Sequence, residues 1–195
     1  MSTSFFTKDE LLSLGLKASG DNVLISRKTS IYNIGVIEIG DNVRIDDFCV
    51  LSGGGGINLG SFIHISCFSA LYGGAGIVID DFCTLSARVT VFSESDDFSG
   101  TSMTNPMIPA HLKPKYHKGP VAIKRHVIIG SNSTILPGVT LEEGTAIGAH
   151  SLVTKNCEEW SIYFGNPAKK VKRRSKELLK LEKQLLNEIK SKGEC

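Results

Sequence analysis

Residues 19–38 read SGDNVLISRKTSIYNIGVIE, and three variants of the same stretch follow without a break. They are IGDNVRIDDFCVLSGGGGIN (39–58), LGSFIHISCFSALYGGAGIV (59–78) and IDDFCTLSARVTVFSESDDF (79–98). The columns align Ser19, Ile39, Leu59 and Ile79; Ile25, Ile45, Ile65 and Leu85; and Ile31, Leu51, Leu71 and Val91. Large aliphatics recur six residues apart, and two extra residues precede each new copy. A fixed short period marks a solenoid, in which each unit buries its apolar face against its neighbours. Six residues match neither a helical period nor a long alternating strand, but they match a short strand plus a turn. Three such units close one three-sided coil. The extra pair falls at one corner, where Gly53 to Gly56 and Gly73, Gly74 and Gly76 supply permissive backbone.

After residue 120 the period returns without the extra pair. Ile129, Ile135, Leu141, Ile147 and Val153 stand six apart in IGSNST, ILPGVT, LEEGTA and IGAHSL. With these hexads the chain resembles the left-handed parallel β-helix acyltransferases over roughly residues 19–172. It is similar to maltose and galactoside O-acetyltransferases and to sugar acetyltransferases of surface-polysaccharide biosynthesis. The resemblance implies the left hand; the general rule for parallel crossovers favours the right. The expected architecture is all-β: a capping segment (1–18), a β-helix domain (19–172) with a protruding loop (92–120), and a C-terminal helix (173–195).

A chain of 195 residues suffices for one domain with a sizeable core. Its net charge of +2 gives no general case for a nucleic-acid partner. No apolar run is long enough to enter a membrane, and no basic-then-apolar leader stands at the N-terminus, so the expected location is the cytoplasm. Cys49 and Cys83 occupy small positions of their hexads and read as buried, reduced thiols. Thr7 and Glu10 have capping-box spacing, and Leu11, Leu12 and Leu14 give an apolar side, predicting a helix over 7–14 that caps the first coil.

Residues 92–120 break the repeat with FSESDDFSGTSMTNPMIPAHLKPKYHKGP. An excursion of this length within a compact domain is typically functional or disordered. The resemblance implies a loop folded over the acceptor site of a neighbouring subunit. At the other end, Leu178, Leu181, Leu185 and Ile189 form one stripe of a predicted helix. The basic run Lys169, Lys170, Lys172, Arg173 and Arg174 is either a solvated face or a contact for phosphates.

The resemblance also implies a homotrimer that binds acetyl-CoA between prisms and acetylates a sugar-like acceptor at a hydroxyl or an amine. Its motif positions fall on Ser131, Ala149, Thr154 and Lys155, with Lys169 and Lys172 reaching the nucleotide phosphates. Small residues admit the pantetheine arm, and lysine supplies a mobile point charge. No two histidines have the His-x4-His spacing of the related γ-class carbonic anhydrases, so no metal is expected; His126 and His150 sit at coil corners, the latter near the expected thioester arm. The family's acceptor-facing asparagines are replaced here by His64 and Ser66, in FIHIS. His64 is therefore the expected general base, with Asp96 or Asp97 from the loop orienting it or binding the acceptor. Asn105 and His117 are further candidates for substrate contact, and His117 is the next candidate base. An amine acceptor needs little base catalysis. A non-catalytic hexapeptide-repeat scaffold is the competing class, because fold alone does not decide function.

Overall fold

The structure, a computed structural model, describes residues 4–193. Three sheets stand as the faces of a prism. The first contains Ala18–Ser19, Ile37–Ile39, Ile57–Leu59, Ile77–Ile79, Val121–Ile123 and Thr140–Leu141. The second contains Val23–Ile25, Val43–Ile45, Ile63–Ile65, Thr84–Leu85, Ile128–Ile129, Ala146–Ile147 and Ser161–Phe164, followed by Lys169–Arg173. The third contains Ser30–Tyr32, Val50–Ser52, Ala70–Tyr72, Thr90–Phe92, Thr134–Ile135 and Leu152–Val153. This is the hexapeptide-repeat parallel β-helix that the sequence predicts.

The register carries the sequence period directly. Ile37 pairs with Ile57, Ile77 with Val121 across the loop, and Ala122 with Thr140. Residues of one column therefore stack coil on coil. Ile25, Ile45, Ile65, Leu85 and Ile129 are all fully buried. Each contributes about 1.5–3 kcal/mol of burial, offset by the entropy of ordering the chain. Ser19 and Ile31, in the end coil, are only half-buried. At the corner carrying the extra pair, Gly56 and Gly76 have φ of +109° and +102°, which glycine adopts without strain.

Corner residues of the other two edges are also left-handed. Phe62, Phe82, His126 and Trp160 form one ladder, and Phe48, Phe68, Arg88, Asn132 and His150 form the other. Side chains occupying this costly region are stacked on one another: Phe62 on Phe82 at 4.7 Å, Phe82 on His126 at 5.2 Å and Phe48 on Phe68 at 5.2 Å.

The N-terminal helix α1 spans Lys8–Ser13, and both halves of the Thr7–Glu10 capping box form. Its buried side is narrower than expected. Leu11 is buried, while Leu12 and Leu14 are exposed, because a helix this short presents a single turn to the open coil. The basic run also departs from expectation. Lys169–Arg173 is a strand antiparallel to Ser161–Phe164, so the chain turns back to cover what would otherwise be a bare sheet edge. Helix α2 begins only at Leu178 and ends at Gly193. Its stripe is little buried, since Leu181, Leu185 and Ile189 remain exposed. The helix is anchored instead by Glu182, which binds His126 and Arg125. Among the described residues no helix is long and apolar enough to cross a membrane.

Candidate active site

The loop leaves the third sheet at Ser93 and returns at Gly119, pinched together by the Gly119 N–H donating to the Ser93 carbonyl at 2.9 Å. Ser93 is fully buried, donates its hydroxyl to the Tyr72 carbonyl and accepts the Ala75 N–H. Above this base, Glu94–Ser95 pairs antiparallel with His117–Lys118 as a short ribbon. Ribbon and sheet border an open cavity of about 770 Å³. Its apolar wall comes from Tyr72, Phe92, Leu136 and Leu152, with Tyr72 and Phe92 stacked at 5.1 Å. Its polar wall includes Glu94, Asp96, Tyr116, His117 and Thr154.

Asp96 is the chemically notable member. Its Oδ2 accepts the backbone N–H of Asn105 at 3.1 Å, while its Oδ1 is buried without a hydrogen-bond partner. A carboxylate oxygen left so is costly, and a ligand N–H relieves the cost. Burial, together with the neighbouring Glu94 carboxylate, pushes the Tyr116 phenol up to about 12.

Three residues named from the sequence thus meet here, Asp96, His117 and Thr154. Asn105 reaches the site through its backbone, and its side chain instead accepts the Met107 N–H. Asp97 does not serve the cavity. Its carboxylate accepts the N–H and hydroxyl groups of Ser99 and Thr101, bonds that hold it below the usual carboxylate range. It caps the loop's own turn.

His64 stands elsewhere in the chain, outward on the second sheet, with Ser66 at the following corner. The partner that orients it is Asp46 from the coil before, whose Oδ2 lies 2.8 Å from Nε2. Partial burial pushes Asp46 upward, but hydrogen bonds from Arg44 and His64 outweigh it and hold the carboxyl below its ordinary value. His64 is not among the residues that line the cavity holding Asp96.

Ser131 and Ala149 follow the corner glycines Gly130 and Gly148. A Cβ on Gly130 would lie 2.5 Å from the Ala149 nitrogen, so coil packing itself demands a small residue there. Lys170 is neutralised by Glu158 at 2.6 Å, whereas Lys155, Lys169 and Lys172 are exposed and form no ion pair among the described residues. These three lysines suit phosphate groups.

The six-repeat model described as bacterial transferase hexapeptide matches residues 120–155. AntD, an N-acyltransferase from Bacillus cereus solved with dTDP and 3-hydroxybutyryl-CoA, is 46% identical with a TM-score of 0.93 over 97% of this chain and 100% of that one. AntD has also been solved with an aspartate substituted, and with a serine substituted in complex with dTDP-4-amino-4,6-dideoxyglucose and coenzyme A. The dTDP-4-amino-4,6-dideoxy-D-glucose acyltransferase of Escherichia coli is 46% identical over 98 residues, half of this chain and half of that protein. A maltose O-acetyltransferase from Clostridium difficile 630 shares the fold at 21% identity and a TM-score of 0.58, over 87% of this chain and 75% of that one. With its hexads stacked as coils and 97% of its length shared with AntD at 46% identity, the chain belongs to the hexapeptide-repeat acyltransferase family.

Proposed function

We propose that the chain transfers an acyl group from an acyl-CoA to the amino group of a nucleotide-linked amino sugar. Asp96 carries this reading: one oxygen of its carboxylate is buried and unpartnered in the wall of the cavity beneath the loop. A sugar ammonium supplies the N–H and the positive charge that such an oxygen lacks. Once the ammonium has lost a proton, its nitrogen attacks the thioester carbonyl. The new C–N bond forms, the C–S bond breaks, and the thiolate leaves to take up a proton.

The substituted AntD residues support the same position. The serine and the aspartate altered in that protein lie ten positions apart. In this chain Ser86 and Asp96 are the one serine and following aspartate with that separation. Ser86 lies at the corner before the third sheet and Asp96 beyond its far edge. Thr84 pairs in register with His64, so Ser86 and His64 lie on adjacent coils. We therefore assign the active form as a homotrimer in which one copy presents His64, oriented by Asp46, and Ser86 to the Asp96 of the next. His64 takes there the proton that the ammonium gives up before attack, and the second proton from the nitrogen goes to the departing thiolate. Ser131, Ala149, Thr154 and Lys155 line the path of the acyl-CoA, and Lys169 and Lys172 meet its phosphates.

The test is thiol release from acetyl-CoA and 3-hydroxybutyryl-CoA in the presence of a dTDP-linked amino sugar. Release is expected with the amine and not with the matching sugar that carries a hydroxyl in its place. A folded protein showing no heat of binding with coenzyme A would leave only the scaffold reading.

A further inference from the structure

His64 stands in register with Arg44 of the preceding coil, and Asp46 lies two residues beyond Arg44. Val43 and Ile45 turn into the core, so Arg44 and Asp46 share the outward face of the second sheet with His64. Asp46 is the least exposed of the three, its side chain 19% accessible between two more open neighbours. Its two oxygens are divided between them. Arg44 Nε donates to Oδ1 at 2.7 Å, and His64 Nε2 lies 2.8 Å from Oδ2.

This division decides where the imidazole carries its proton. A neutral imidazole has one N–H, whereas an ionised carboxylate only accepts. The Arg44 guanidinium keeps its charge at any working pH and so favours the ionised form of Asp46. The hydrogen between Nε2 and Oδ2 therefore belongs to the ring, and Nδ1 is left with the bare lone pair. Nδ1 forms no hydrogen bond among the described residues, and the His64 side chain is 43% exposed. Behind Arg44 lies the segment that precedes α1. The Phe5 ring centre is 5.6 Å from the guanidinium carbon, a cation–π distance. A bridge from Phe5 to Ser26, and the Arg27 N–H donating to the Ser4 carbonyl at 3.0 Å, hold that segment on the first coil.

We propose that Arg44 and Asp46 are positioning residues that set His64 in its Nε2–H tautomer, and that Nδ1 is the atom that takes the proton from the sugar ammonium. The assignment rests on the reading of His64 as the base. The transferred proton ends on Nδ1, the Nε2–H stays on the ring and bonded to Asp46, and Asp46 remains a carboxylate throughout. Arg44 also fixes which way a side chain at position 46 can face. In Asp46→Asn the amide oxygen turns to Arg44 Nε, which leaves the amide N–H groups pointing at Nε2. The ring proton then moves to Nδ1, and the lone pair needed there is lost.

The experiment uses the full chain, isotopically labelled in its histidine nitrogens, as the parent, Asp46→Asn, Arg44→Met and the double variant. His64→Ala identifies the His64 signals among the five histidines. Long-range proton–nitrogen NMR reads the tautomer at a pH where the ring is neutral. In parallel, kcat and KM are measured for a dTDP-linked amino sugar at saturating acyl-CoA. The parent is expected to carry its proton on Nε2. Asp46→Asn, which is isosteric, is expected to carry it on Nδ1 and to lose roughly 10²-fold or more in kcat, with the acceptor KM within about threefold. Arg44→Met alone, which lets Asp46 turn away, is expected to lose about three- to tenfold in kcat. In the double variant the amide is free to turn its oxygen to Nε2. Part of the Nε2–H form is expected to return there, and kcat to rise at least about fivefold over Asp46→Asn, a reversal of sign that a merely structural Arg44 would not produce. A parental proton on Nδ1, an Asp46→Asn ring still protonated on Nε2, an unchanged kcat in Arg44→Met, or a double variant no better than Asp46→Asn overturns the proposal. An inverted tautomer with full turnover in Asp46→Asn overturns the reading of His64 as the base instead, and the tautomer assignment stands.

Discussion

Glu182 of α2 reaches across to the prism and sets its Oε2 2.9 Å from Nε2 of His126, a corner residue stacked on Phe82. The same carboxylate binds Arg125, which also meets Asp81 at 2.7 Å. His126 is nearly fully buried, and the Glu182 side chain is 14% exposed, so this junction is screened from water better than the other ion pairs of the surface.

Removing Glu182 leaves Arg125 and His126 short of a partner. Glu182→Ala is expected to cost about 1–3 kcal/mol, a fall in Tm of about 2–12 °C for a chain of this size. Truncation after Arg174 is expected to lower Tm at least as far while leaving kcat at saturating substrate within about twofold, since α2 contributes nothing to the cavity wall. Calorimetry beside a steady-state assay checks both; a collapse of turnover with Tm intact would place α2 in the site.

The thiols give a pH dependence. Burial pushes Cys49 up to about 11, and Cys83 and Cys157 up to about 12, from an ordinary value near 9. Because the folded values are raised, the stability these thiols contribute is complete below pH 9. It is lost as pH rises from there through 11–12, where the unfolded chain ionises first. Denaturant midpoints are expected to fall over that window. At pH 8 a thiol reagent is expected to spare these three cysteines in the folded protein and to modify them in denaturant.

How much of this was legible beforehand differs from element to element. The stacking of Ile25, Ile45, Ile65 and Leu85 follows from spacing alone, because a strand-and-turn unit of constant length leaves one way to bury them. The capping box is equally local, as Thr7 and Glu10 lie within one turn. The return of Lys169–Arg173 as a strand escaped, because a basic run carries no strand pattern and its cause is a bare edge elsewhere. Asp46, the partner of His64, is eighteen residues away and becomes a neighbour only through coil stacking. The twenty-residue period sets Arg44 in register with His64, and Asp46 stands two residues further along that coil, so the period alone names the neighbouring coil and not the partner. Ser86 lacked any motif. The contact of Glu94 with Gly74 belongs to the root of the loop, where no period constrains the chain.

The proposed division of the site between copies gives the last prediction. His64 with Asp46 lies on the second sheet, while Asp96 stands past the far edge of the third, so a working site drawn from both needs two chains. His64→Ala is expected to lower turnover roughly 10²-fold or more with coenzyme A binding unchanged, and Asp96→Asn to be comparably impaired. Each variant alone then has every site defective. Mixed within one trimer, some sites pair an intact His64 from one copy with an intact Asp96 from the next. Co-refolding the two inactive variants is therefore expected to restore a fraction of parental turnover far above the sum of the separate proteins. Sedimentation of the same mixture should show trimers. Two outcomes would count against the shared site. If mixing restores nothing while both variants assemble, His64 and Asp96 serve within the same copy. If His64→Ala alone costs less than about threefold, His64 is not the base, the amine is deprotonated by other means, and His117 in the cavity wall becomes the residue to substitute next.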